Sequence, residues 1–90
     1  MSKVYTGSEA LRMAIGLVRC EETKILCDIM VDNNRVTVYE FLGDYYMANI
    51  HAYKPNLNIF EKITKEEADN IVSNIRGLSH IGTYFEFGGF

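Results

Sequence analysis

The sequence predicts a single α+β domain over residues 1–90, with two helices packed on a mainly antiparallel sheet in the order α-β-β-β-(β)-α-β. Three observations point there. Thr6 with Glu9, and Thr64 with Glu67, each show the Thr-x-x-Glu spacing of a capping box, followed by apolar residues at helical spacing. Between these two helix starts, residues 24–53 alternate apolar and polar side chains with the period of two that belongs to strands. The chain has 90 residues, one proline and no repeat, linker or low-complexity stretch, so it can build one modest core.

The first helix is expected over Ala10–Cys20. Leu11, Ala14, Ile15 and Val18 make one apolar stripe, Ala10, Met13 and Leu17 a second, and Glu9, Arg12, Gly16 and Arg19 leave a narrow polar strip. A helix apolar over more than half its circumference needs cover on two sides. One cover is the sheet, and the other is the second helix or another protein chain, which makes Ala10, Met13 and Leu17 a candidate homodimer face. Lys24–Phe41 then reads as a hairpin closed by Asn33-Asn34, a pair that tolerates the positive φ of a two-residue turn. With that loop Val31 faces Val36, Ile29 faces Val38, Cys27 faces Glu40 and Ile25 faces Leu42. The other side pairs Asp32 with Arg35, Met30 with Thr37, Asp28 with Tyr39 and Leu26 with Phe41.

Gly43-Asp44 is expected to turn the chain into a third strand, Tyr45–Lys54, with Tyr46, Ala48, Ile50 and Ala52 facing the core. A strict two-residue turn there would set the more polar Tyr45, Met47, Asn49, His51 and Tyr53 beside Val36 and Val38. A longer loop or a glycine bulge that shifts the register by one residue is therefore expected. Pro55-Asn56 breaks the strand, and Leu57–Ile63 is a weaker fourth one. Ala68, Ile71, Val72, Ile75 and Leu78 form the inner face of the second helix, with Gly77 as its C-terminal cap. Ile81, Thr83, Phe85 and Phe87 alternate as a closing strand before Gly88-Gly89-Phe90.

Composition narrows the function. An apolar fraction of 48% with six Tyr and five Phe suffices for a core, which argues against global disorder. The net charge is −3 and the nine basic residues are scattered, so direct nucleic-acid binding through many phosphate contacts is disfavoured. No run of residues has the length and apolarity of a membrane span, and Met1–Tyr5 lacks the features of a secretory leader, so a cytoplasmic location is expected. Cys20 and Cys27 are too few for a disulfide framework and lie at no metal-ligand spacing. His51 and His80 have no acidic or thiol partner at ligand spacing, and the glycines form no phosphate-binding loop; no metal or cofactor is expected.

Function is thus expected from surfaces. Asp28, Tyr39 and Phe41, joined through the shifted register by Tyr45, Asn49, His51 and Tyr53, would form one aromatic sheet face with polar tips, suited to docking on a partner. Glu40, set among apolar neighbours, is the residue least at home in the pattern, and with His51 or Tyr39 it could act as an acid-base pair. Its ordinary reading is a carboxylate that reaches water at a sheet edge. The leading expectation is a non-enzymatic inhibitor or modulator that binds a larger host protein. In size and style it is similar to the anti-CRISPR and other anti-defence proteins of phages and mobile elements. The alternative is a dimeric domain that binds a small molecule or nucleotide between Tyr39, Asn49, His51 and Tyr53.

Overall fold

A computed structural model describes residues 3–80, and side chains as far as Ile75. In chain order the elements are β1 (Val4–Thr6), α1 (Gly7–Val18), β2 (Thr23–Val31), β3 (Asn34–Phe41), β4 (Asp44–His51), a single 3-10 turn (Pro55–Leu57), β5 (Ile59–Ile63) and α2 (Lys65–His80). The strands form one sheet in the order β1-β5-β4-β3-β2, and every neighbouring pair is antiparallel. The domain is therefore α+β, with a short leading strand that three residues gave no periodicity to reveal. The closing strand expected over Ile81–Phe87 lies outside the described residues.

The two helices cover opposite faces of the sheet. On one face Ala10 and Ala14 of α1 pack with Tyr39, Ala48 and Phe60, edged by Tyr5, Leu17, Tyr46 and Ile50. On the other, Ala68 and Ile71 of α2 pack with Val38 and Ile63, edged by Leu26, Cys27, Tyr45 and Met47. Both alternating sets of β3 and β4 are thus partly apolar, as strands buried on two sides must be.

This corrects the expected registers. The first hairpin turns at Asp32-Asn33, with Asp32 at φ 56°, so Val31 pairs with Asn34 and Ile29 with Val36. The observed register sets the buried Asp28 across from Thr37 rather than Tyr39, where its carboxylate finds hydrogen-bond donors. A bulge at Leu26 then brings Ile25 opposite Tyr39 and Lys24 opposite Glu40. In the second hairpin the turn is Leu42-Gly43 and has only two residues, both at positive φ (50° and 88°). No register shift occurs, so Met47 and Asn49 do lie beside Val38 and Val36, and α2 covers part of that set. The expectation of a bulge assumed a single core face.

The helix starts differ in mechanism. At α2 the capping box forms in both directions, with the Glu67 amide donating to Thr64 Oγ1 at 3.0 Å and the Thr64 amide donating to Glu67 Oε1 at 2.8 Å. The helix then runs through Gly77 to His80 rather than stopping at Gly77. At α1 Thr6 makes no side-chain cap. Instead the Gly7 amide donates to the Asn58 carbonyl at 3.0 Å, from a φ of +62° that suits glycine.

Asn58 is 1% exposed, and its Oδ1 accepts the His51 amide at 2.7 Å, so one residue ties the end of β4 to the start of α1. Asn58→Ala would strip the His51 amide of its acceptor. It is expected to cost about 1–3 kcal/mol, seen as a lower urea midpoint at unchanged m-value.

Candidate functional site

The expected aromatic docking face does not exist as one surface. Asp28, Tyr39 and Phe41 belong to the α1 face, whereas Tyr45, Asn49 and His51 project on the α2 face. Asp28 and Tyr39 are buried, Phe41, Tyr45, Asn49 and His51 are half-buried, and of the whole set only Tyr53 is well exposed, beyond the end of β4. The His51 ring serves the local backbone, since Nδ1 accepts the Tyr53 and Lys54 amides at 3.1 and 3.0 Å. Glu40 sits beside Tyr45 and His51 beside Asn34 at opposite ends of the β3–β4 ladder. Six residues of strand separate them, roughly 20 Å, so they form no acid-base pair.

The stripes of α1 also exchange roles. Ala10 is fully buried and Leu17 packs on the sheet, which leaves Met13 as the one exposed member of the proposed dimer face. Leu11, Ile15 and Val18 of the other stripe are 38%, 44% and 47% exposed, because α2 lies across the sheet and covers none of them. Three large aliphatic side chains spaced i, i+4 and i+7 on one helix flank make a ridge that ordinary folding would bury.

That ridge walls a pocket of about 290 Å³ on the α1 face. Ala14 closes its inner side, Thr37, Tyr39 and Ile50 form the floor, and Arg19 and Arg35 stand at its rim. Its shape follows from how α1 is anchored. The helix starts at Asn58, beside β5, and ends where Thr23 Oγ1 at the start of β2 donates to the Leu17 carbonyl at 2.7 Å. It crosses the face on a diagonal and leaves the Arg35 corner of β2 and β3 bare. Met30, 53% exposed, extends that corner to the edge of the sheet.

A polar cluster holds the floor. Arg35 donates from Nε and Nη2 to the two carboxylate oxygens of Asp28 at 3.1 and 2.9 Å, and Thr37 Oγ1 donates to Oδ1 at 3.0 Å. Burial pushes the Asp28 carboxyl above its usual range, against the lowering effects of the Thr37 hydroxyl and the Arg35 guanidinium. Burial likewise raises the Tyr39 hydroxyl. No buried side-chain nitrogen or oxygen among the described residues lacks a partner, so the cluster reads as a satisfied support for the floor.

The sequence pattern pointed to Ala10, Met13 and Leu17 as the contact face of α1 and assigned no site role to Leu11, Ile15, Val18, Arg19 or Ile50. The signal that could have exposed the ridge is the double alternation of β3 and β4, which demands a helix on each face and so leaves each helix alone on its own. Among the described residues no three His, Cys, Asp or Glu gather in a group able to hold a metal, and no helix is long and apolar enough to cross a membrane. Comparison with models of known families, with curated proteins and with solved structures gives no match, so the surface itself is the guide to function.

Proposed function

We propose that this chain is a small protein-binding module that docks on a larger protein through the flank of α1. The observation that carries the reading is the exposed Leu11-Ile15-Val18 ridge above a formed pocket, backed by a rigid five-stranded sheet. An apolar stripe of this kind, rimmed by polar groups, is the mark of a protein-contact surface. The role that suits it is to occupy a site on a host protein in the cytoplasm and so inhibit or modulate it, the manner in which anti-defence proteins work.

Ile15→Asp is the test. Because Ile15 is 44% exposed, the substitution is expected to shift stability by no more than about 1 kcal/mol while placing a charge at the centre of the ridge. Affinity capture from the cells in which the chain acts should recover a partner with the wild type and lose it with the variant. Equal recovery of the same partner by both would remove α1 from the interface.

A second reading has one observation in its favour: the pocket approaches the lower end of small-ligand sizes and has Tyr39, Thr37 and Arg35 at hand for polar contacts. A compound seated there would raise the melting temperature of the isolated chain by mass action.

A further inference from the structure

We infer that the partner element received beside α1 is an amphipathic helix that carries acidic residues next to its apolar stripe. This rests on the docking reading above and adds the shape and charge of what docks.

The shape follows from the ridge. Leu11, Ile15 and Val18 span eight residues of helix, about 10 Å or two turns. A ridge with i, i+4 and i+7 spacing packs into the groove between the side-chain rows of another helix at an axial distance of about 8–10 Å. At that distance from α1 a second helix lies over the bare corner of β2 and β3, with Thr37 and Met30 beneath it.

The charge follows from what borders the pocket. No acidic side chain lines it, and the nearby Asp28 is engaged by Arg35. Arg19, at the C-terminal end of the ridge, is exposed and makes no ion pair among the described residues. The pocket therefore presents positive charge at its rim although the chain as a whole is at −3. A second copy fits poorly. A two-fold axis at Ile15 would set Arg19 of one copy against Leu11 and next to Arg12 of the other, like charge beside like charge.

The experiment uses two fluorescein-labelled helical peptides of about 18 residues, long enough to hold a helix. They share one leucine stripe and differ only in its flanks, glutamate in one and lysine in the other. Fluorescence anisotropy against the full chain should show the glutamate peptide binding about tenfold more tightly at low salt, with the advantage shrinking as salt rises. Arg19→Glu should reverse the preference, and Ile15→Asp should abolish binding of both peptides. Equal affinity for the two peptides, no binding of either at about millimolar concentration, or a preference unchanged by Arg19→Glu would overturn the inference. So would a dimer in sedimentation that Ile15→Asp dissolves, since the second copy would then be the occupant. If Ile15→Asp still abolishes partner capture while the peptides show no charge preference, the docking surface stands and only the acidic helix is lost.

Discussion

Replacing Phe60 by Ala is expected to lower the stability of the domain by about 3–5 kcal/mol, the usual cost of emptying a buried aromatic site. Phe60 is 3% exposed on β5 and is the hub of the α1 face: its ring stacks on Tyr46 at 5.6 Å between centroids and meets Tyr5 and Tyr39 at 6.2 and 6.5 Å. Three aromatic neighbours cannot collapse into the space left by one ring without leaving their own rotamers, so most of the cavity would persist. In a domain of this size such a loss lowers the melting temperature by on the order of 20 °C. Because α1 rests on the same cluster, the variant should also lose partner binding as it approaches its lower melting point. A change in melting temperature of only a few degrees would show that the α1 face is less tightly packed than the contacts around Phe60 indicate.

Arg35→Met should cost about 2–3 kcal/mol at neutral pH, less than the full loss of a buried pair because the Arg35 side chain is 45% exposed. The variant leaves the Asp28 carboxylate, 2% exposed, with the Thr37 hydroxyl as its side-chain donor. The pH dependence fixes the cause. Burial already holds the folded carboxyl of Asp28 above its unfolded value, and removing the guanidinium takes away a lowering influence and raises it further. A carboxyl raised in the folded state favours folding when protonated. Its contribution is full below the unfolded value and is lost as pH rises through the folded one. The deficit of the variant relative to wild type should therefore be greatest near pH 7, shrink as the pH falls through the raised folded value, and be nearly gone by the unfolded value of about 4. Adding Asp28→Asn should recover much of the loss at pH 7, since the buried charge is then gone. Urea melts across this pH range check both statements, and a deficit independent of pH would show that Arg35 acts through the packing of its stem alone.

How much of this was legible in the sequence depends on which interactions decide each feature. The α2 start is local, written in Thr64 and Glu67, and the structure forms both hydrogen bonds the spacing implied. The strand positions followed from periodicity, and the turns lay within a residue of those expected, at Asp32-Asn33 and Leu42-Gly43. Register was harder. A shift of one residue in the first turn depends on whether Asp28 meets Thr37 or Tyr39, a cross-strand preference that no single segment reveals. The candidate site was the least legible part. Tyr39 and Tyr45 looked co-facial because one apolar set was taken as the core. Once α1 and α2 take opposite faces, Tyr39 is buried and the aliphatic flank of α1 is the surface left over. Helix-on-sheet placement is a global property, and the pattern of α1, apolar over more than half its circumference, pointed to Ala10, Met13 and Leu17 rather than to the stripe the fold leaves open.

The proposed function stands on contact between the flank of α1 and another protein. It is tested most directly by placing a photoreactive amino acid at Ile15 in one variant and at Asn70, on the exposed outer side of α2, in a second, then irradiating the cells in which the chain acts. A crosslinked band with a larger protein is expected from position 15 and none from position 70. A band from position 70 alone, or the same protein captured equally from both positions, would contradict it and move the interface to the α2 side of the sheet.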